Sequence, residues 1–146
     1  MRLEYHALQK IIELHNKFLS GNQEGVKADL RCAELYGADL AGLNLQGANF
    51  EKADLKRSVL FETNLEGANL SGAFFKHAVL EGASLKRANL TGASLKGANL
   101  NRADLRGTKF TMANLEDVSL EMAIYDRTTI WPDQFDPQSA GAILSD

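Results

Sequence analysis

The residues of this chain that could do chemistry are three histidines and one cysteine, and their spacing fits no common site. His6, His15 and His77 are scattered, and no His or Cys pair has the spacing of metal ligands. The sequence also lacks a phosphate-binding loop and a nucleophile motif. We therefore predict a protein that is not an enzyme and that uses no cofactor or metal. The single cysteine, Cys32, cannot form an intrachain disulfide, and we interpret it as a surface residue.

The dominant pattern is a large apolar residue at every fifth position. From Leu30 to Leu120 each fifth residue is Leu or Phe, nineteen times in succession, and the rhythm continues at Tyr125 and Ile130. A step of five rotates by about 140° on an α-helix, and on a strand it alternates between the two faces. Neither element would bury all of these residues, so the chain must turn a corner in every pentad.

The other positions of the pentad have their own residue types. The position two before the large residue is Ala in fifteen of twenty-one pentads, and the position two after it holds nine of the twelve glycines. The residue directly before it is commonly Asn, Asp or Ser. A large and a small inward side chain fill a narrow tube, Gly permits a turn with positive φ, and Asn or Asp can bond to the backbone there. We predict coils with three or four sides that pair like a parallel sheet.

Pentads such as Ala68–Gly72, Ala88–Gly92 and Ala98–Arg102 resemble the pentapeptide-repeat family, whose consensus is A(D/N)LXX. The resemblance covers residues 28–132 and is specific. It implies an all-β solenoid, namely a right-handed quadrilateral parallel β-helix with four pentads in each coil. At that size the repeat would make about five coils.

The N-terminal segment departs from the repeat. Residues 3–20 place apolar side chains on one face of a helix, and Gly21 suits a helix stop. A solenoid needs a lid, because its first coil exposes apolar interior and unpaired strand edges. We therefore predict an N-terminal α-helical cap within residues 1–25. A helix that binds a partner or a membrane surface is the alternative, although its polar face is not notably basic.

The repeat is predicted to occupy residues 26–127, and residues 128–146 then form a C-terminal cap or tail. Both prolines lie in this last segment, where a ladder cannot continue through them. Trp131 and Phe135 are large enough to cover the last coil. We expect residues 140–144 to add a short helical turn.

With four pentads in each coil, residues twenty apart lie side by side, and three lysines then form a ladder. Lys56, Lys76 and Lys96 share one face, with Arg57 and His77 beside them. Like charges about 5 Å apart in water repel by somewhat under 1 kcal/mol. One interpretation is a solvated face. The functional hypothesis is a site for an anion or an acidic partner.

Four apolar residues occupy outward positions in the middle of the repeat. Val59 and Val79 replace the usual Asn or Asp and stack on each other, and Phe61 lies outward in the coil of Val59. Phe74 replaces the polar residue on the neighbouring face, one pentad before Val79. Exposed apolar clusters often mark interfaces. The alternative is repeat drift, since β-branched and aromatic residues favour strands.

Charge bears on partners, because some members of the family are thought to mimic DNA toward type II topoisomerases. Residues 26–127 hold thirteen acidic and thirteen basic side chains, and the net charge of −3 comes from Asp133, Asp136 and Asp146. A neutral rod lacks the negative field of a duplex, and without a basic excess nucleic-acid binding is not expected either.

We therefore predict a non-catalytic protein–protein interaction module or scaffold with an unidentified protein partner. We expect no nucleic-acid or membrane contact, and a monomer or weak homodimer. The absence of a secretory pattern and of a long apolar run indicates a soluble, cytoplasmic protein. The alternatives are a DNA-mimic regulator of a type II topoisomerase and a regulator in a signalling pathway.

Overall fold

The computed structural model describes residues 2–145, and its backbone ladder has a period of twenty residues. Asp29 pairs in parallel with Asn49, Asn49 with Asn69, and Asn69 with Asn89. Between the same coils, the Leu30 N–H donates to the Asn49 carbonyl at 2.7 Å. Because twenty residues are four pentads, each coil has four sides.

Continuous secondary structure is short because the chain changes direction in every pentad. Within residues 2–145 the structure has one helix, α1 (Tyr5–Leu19), and two strands, β1 (Ile124–Tyr125) and β2 (Ile143–Leu144). The rest of the ladder consists of single-residue bridges between successive coils. The repeat is therefore a parallel β-solenoid even though few of its residues form extended strands.

The core is a column of leucine, phenylalanine and alanine side chains along the axis of the solenoid. Every large central residue from Leu30 to Leu120 is buried, and Phe50, Phe75 and Phe110 are wholly inaccessible to solvent. Burying one such side chain contributes about 1.5–3 kcal/mol. The prediction that these residues point inward is confirmed.

The corners of the coil have the backbone conformation that the glycines indicated. Gly72 has φ of 65°, and Arg57, at the equivalent position of another pentad, has φ of 57°. The Asn and Asp residues bond to these turns as predicted. For example, Asn69 Oδ1 accepts the backbone N–H of Ser71 at 3.1 Å. Each such bond ties the outward residue to the next corner.

Hydroxyl groups replace alanine at a few inward positions and are satisfied there. The Oγ1 of Thr63 donates to the Leu40 carbonyl at 2.8 Å, and that of Thr108 donates to the Leu85 carbonyl at 2.6 Å. Both acceptors belong to the previous coil. The core therefore tolerates these polar groups because each buried hydroxyl has a partner.

Helix α1 lies against the first coil and is shorter than the predicted range of 3–20. Its buried residues are Leu8, Ile12 and His15. The helical pattern in the sequence also places Ala7 and Phe18 on the apolar face, but both are exposed, so the face in contact is narrower than predicted. The helix ends at Leu19, and the backbone then takes a positive φ at the predicted stop, Gly21.

The segment before the helix also pairs with the first coil. Arg2 forms a parallel bridge with Glu34, and Leu3 N–H donates to the Glu34 carbonyl at 3.5 Å. In later coils the residue that pairs in this position lies twenty residues earlier in the chain, as Glu34 does relative to Asp54. The N-terminal segment thus occupies part of an edge that the repeat leaves open.

The pentad rhythm shifts by one residue after Tyr125, so the prediction that Ile130 points inward is wrong. Lys109 pairs with Ile130, a step of twenty-one, and Ile130 is 46% exposed. Thr129 takes the small inward position instead, and its Oγ1 donates to the Leu105 carbonyl at 2.8 Å. The extra residue lies in a turn in which Thr129 N–H donates to the Asp126 carbonyl.

Aromatic rings follow this shift and cover the end of the column. Trp131 stacks on Phe110 with ring centroids 4.9 Å apart, and Phe135 stacks on Trp131 at 5.2 Å. Tyr125 meets the indole edge-on at 5.4 Å. Trp131 therefore replaces Ile130 as the large residue above Phe110.

The helical turn predicted for residues 140–144 is wrong over its second half. Ile143 and Leu144 form β2, which pairs in parallel with Ile124 and Tyr125. The Ile143 N–H donates to the Ala123 carbonyl at 2.8 Å. The open edge of the last coil offers hydrogen bonds to these residues, and this pairing outweighs local helix propensity.

Candidate interaction surface

Three of the four predicted patch residues lie together on one side of the solenoid. We name this the Leu60 side, after the column of core residues Leu40, Leu60, Leu80, Leu100 and Leu120. Val59 pairs directly with Val79 on the ladder. Phe61 follows on the other flank of the buried Leu60. Val59 is 36% exposed and Phe61 is 41% exposed, whereas Val79 is half-buried.

The fourth residue, Phe74, lies on a neighbouring side. It pairs with Asp54 below and Ser94 above, in the column that precedes Leu55, Phe75 and Leu95. We call this the Phe75 side. Phe74 is 48% exposed and is separated from Val79 by one corner of the coil. The structure therefore places three apolar residues on one side and the fourth around the corner.

The three lysines lie on the Phe75 side with the predicted spacing. Arg57 N–H donates to the Lys76 carbonyl at 3.0 Å, and His77 N–H donates to the Lys96 carbonyl at 3.1 Å, so the three backbones follow one another up the coils. Arg57 and His77 occupy the corner between this side and the Leu60 side.

Two of the three lysine charges have a carboxylate partner. The Nζ of Lys56 lies 3.5 Å from the Asp54 carboxylate, and that of Lys96 lies 3.6 Å from Glu116. Exposed pairs of this kind are worth about 0–1 kcal/mol. Within residues 2–145, Lys76 has no ion pair. The ladder thus presents one unpaired cation between two paired ones.

Charge is unevenly distributed around the solenoid, which the count over the whole repeat concealed. The outward and corner positions of the Leu60 side hold Asp39, Glu62, Glu81 and Glu121 against one cation, Arg102. Glu81 and Arg102 are paired at 3.7 Å. Sorting the sequence in steps of twenty would have revealed this acidic border around the apolar residues.

The valines also change the hydrogen bonding of the turns on this side. Where the residue before the core position is Asp39 or Asn99, its Oδ1 accepts the N–H two residues later, at 3.0 Å and 2.9 Å. Valine has no acceptor, so the N–H groups of Phe61 and Glu81 lack this bond. The surface around Val59 and Val79 therefore combines apolar side chains with backbone donors that need water or a partner.

The potential metal ligands of residues 2–145 do not cluster. In residues 2–145, no group of three or more His, Cys, Asp or Glu side chains could hold a metal ion. A hollow of about 390 Å³ lies between the start of α1 and the first coil, beside Leu3, Tyr5 and Tyr36. Cys32 is exposed.

Within the described part of the chain, no helix is long and apolar enough to cross a membrane.

The chain matches the family model described as "Pentapeptide repeats". Eight copies are found, over residues 27–57, 58–97 and 83–121. No curated protein matches the chain. The large core residues from Leu30 to Leu120 all lie within the matched segments.

Several solved structures are similar to the chain. A pentapeptide repeat protein from the Arabidopsis thaliana thylakoid lumen is 33% identical with a TM-score of 0.62, and the match covers 64% of this chain and 65% of that one. HetL, a pentapeptide repeat protein involved in heterocyst differentiation regulation in the cyanobacterium Nostoc, is 28% identical with a TM-score of 0.56. That match covers 84% of this chain and 57% of HetL. The chain thus spans less than two thirds of the length of either protein.

QnrB1, a plasmid-mediated fluoroquinolone resistance protein, is 21% identical over 79% of each chain, with a TM-score of 0.47.

Proposed function

Since the chain belongs to the family of pentapeptide repeats, we propose that it is a non-catalytic interaction module for a protein partner. Its contact surface is centred on Val59, Phe61 and Val79, with Phe74 around the corner. The ladder of Lys56, Lys76 and Lys96 forms the polar border on the Phe75 side. The observation that carries the proposal is the adjacent, solvent-facing placement of three apolar residues on a regular side.

The fold supports this role because it holds the surface rigid. Pentapeptide repeat proteins are right-handed quadrilateral parallel β-helices, and here Leu60 N–H donates to the Val79 carbonyl at 2.7 Å while Val79 N–H donates to the Ser58 carbonyl at 3.0 Å. A surface fixed in this way loses little backbone entropy on binding. We take α1 as an N-terminal cap and the repeat as about five coils, which leaves the sides free for contact.

The composition of the surface suits a protein partner. Aromatic residues are enriched at the energetic centres of interfaces, and Phe61 offers such an anchor beside two valines. A ring of charged residues, including Glu62, Glu81 and Lys76, surrounds it and would remain at the rim. The unbonded N–H groups of Phe61 and Glu81 would donate to carbonyl or carboxylate oxygens of the partner.

A regulatory role in a signalling pathway is the second candidate. HetL is described as involved in the regulation of heterocyst differentiation, and it aligns with 84% of this chain. The same surface would serve that role, so the two proposals differ only in the partner. DNA mimicry toward a topoisomerase is disfavoured, because the acidic border of the Leu60 side is small and the repeat as a whole is neutral.

The test is a crosslinking pull-down from native lysate with the wild-type chain and the double variant Phe61→Glu, Val79→Lys. The matched control is Ser71→Glu, Ser84→Lys, which adds the same two charges on other sides. We expect a partner that the wild type and the control capture and the patch variant loses. Equal capture by all three folded proteins would show that the apolar residues are repeat drift. Inhibition or protection of gyrase supercoiling by the wild type would instead favour mimicry.

A further inference from the structure

A buried histidine joins α1 to the first coil. His15 lies on the face of α1 that contacts the solenoid and is wholly inaccessible to solvent. Its Nδ1 accepts the backbone N–H of Ala28 at 2.9 Å. Ala28 is the first inward alanine of the repeat, and the Leu30 N–H nearby donates to the second coil at Asn49. One hydrogen bond thus connects the helix to the start of the β-ladder.

This geometry fixes the protonation state of the ring. A nitrogen that accepts a hydrogen bond carries no proton, so the neutral imidazole of His15 has its proton on Nε2. Within residues 2–145, Nε2 is buried without a hydrogen bond of good geometry. A second proton could be added only at Nδ1, toward which the Ala28 N–H already points. Protonation would therefore place an Nδ1–H of His15 against the Ala28 N–H, and two buried donors facing each other without an acceptor are unfavourable.

On balance the surroundings of the ring lower the pKa of His15 and disfavour its charged form. Burial lowers the pKa of His15, the backbone of Gln46 in the first coil acts in the opposite direction, and Lys27 lowers the pKa further. Lys27 lies on the segment that follows α1. From α1 itself the ring packs against Phe18, with centroids 6.0 Å apart. Among the described residues, no carboxylate on α1, on this segment or on the first coil contributes to the shift.

We propose that His15 is a pH-sensitive latch that holds α1 on the first coil and that its protonation releases the helix while the coils remain folded. The other contacts of α1 with the repeat are mainly apolar, and they include the half-buried Ile11. Leu8 and Ile12 are its only other buried residues among those described, and the Leu14 carbonyl accepts the Val26 N–H at 3.0 Å. Release would uncover the apolar interior and the strand edge of the first coil, a surface distinct from the side surface proposed above.

The direction of the pH dependence follows from the neutral docked state. Above about pH 6.5, the ordinary value for His, the ring is neutral both docked and released, so docking does not depend on pH. Below it the released form binds more protons than the docked form. The docking equilibrium then weakens by at most about tenfold for each pH unit, until the pH reaches the lower pKa of docked His15.

The experiment is hydrogen exchange of the intact chain at pH 7.5 and 5.5, expressed as protection factors corrected for intrinsic exchange. The variant His15→Asn keeps an acceptor for Ala28 but does not titrate, and His6→Asn is the control on the same helix. We expect protection of the α1 amides to fall at pH 5.5 in the wild type and in His6→Asn, by at most about tenfold. It should stay constant in His15→Asn, and the amides of Leu60 and Leu80 should not change.

An NMR titration of the wild type is a second test of the proposal, and it does not depend on the folding of any variant. The ring signal of His15 should titrate below 6.5 and should move together with the amide signals of α1. The proposal is overturned if His15 titrates at or above 6.5, if wild-type α1 protection is independent of pH, or if His15→Asn loses protection as the wild type does.

Discussion

Two sides of the solenoid use the same core and differ in what they present to solvent. On the side of Phe50, Leu70 and Leu90, the outward residues before the core positions are polar, and Asn69 and Asn89 each bond to the N–H two residues later, at 3.1 and 3.0 Å. Ser71 and Thr91 add hydroxyl bonds to the same Asn oxygens. The outward polar residues of this side therefore form hydrogen bonds to the turns of their own coils.

The Leu60 side lacks these bonds at its centre. Val59 and Val79 occupy the positions of Asn49, Asn69 and Asn89 but offer no acceptor to the turn. A hydrogen bond of this type contributes about 0.5–1.5 kcal/mol, and valine recovers part of this through its strand propensity. The departure therefore brings little stability and exposes apolar surface. The regular pentads stabilise the fold, and we propose that the irregular pentads on the Leu60 side form the contact surface.

The largest effect should be the same on both sides, because the core is shared. Leu60→Ala and Leu70→Ala each remove a fully buried side chain, and each should lower the free energy of unfolding by about 2–5 kcal/mol. Urea denaturation followed by circular dichroism measures this. Phe61→Ala is the control and should cost under about 1 kcal/mol, since it faces solvent. A larger loss for Phe61→Ala than for Leu60→Ala would reverse the assignment of inside and outside.

An intermediate effect should distinguish the two sides. Asn69→Val removes the bond to Ser71 N–H and should destabilise the chain by about 1 kcal/mol. Val79→Asn offers a new acceptor to Glu81 N–H and should leave stability unchanged or raise it by up to about 1 kcal/mol. The midpoint of thermal unfolding compares the two variants. If both substitutions destabilise equally, the Asn bonds do not explain the regular pattern.

The smallest effect concerns the lysine ladder. Lys76→Gln should reduce the association rate with the captured partner by about two- to fivefold at low salt and have little effect on dissociation, because rim charges act mainly on encounter. Lys86→Gln, at the same pentad position of another side, is the control. Stopped-flow or surface binding at two salt concentrations gives both rates. If both variants lowered the association rate equally, the effect would come from the net charge of the protein and not from the position of Lys76 in the ladder.

The repeat itself could be predicted from the sequence because each pentad position has one main structural role, such as filling the core or forming the turn. The step of five allowed three or four sides, and the resemblance to the family decided between them. The pairing of Val59 with Val79 then followed from the step of twenty. The position of Phe74 on the neighbouring side followed as well, since it lies one pentad before Val79.

The ends were harder to predict because tertiary pairing decided them. Thr128 and Thr129 are equally suited to the small inward position, and the extra residue in the turn at Asp126 selected Thr129. Local propensity gave no sign that Ile143 and Leu144 would join the ladder at β1. The carboxylate partners of Lys56 and Lys96 depend on side-chain placement, which a count of charges over the repeat cannot supply.

The most direct test of the central claim is the affinity of the captured partner for three folded proteins, measured by calorimetry. These are the wild type, the patch variant Phe61→Glu, Val79→Lys, and the control Ser71→Glu, Ser84→Lys. If the Leu60 side is the contact surface, the patch variant binds at least about 30-fold more weakly, which corresponds to about 2 kcal/mol, and the control binds within about twofold of the wild type. Equal affinities for all three would contradict the account.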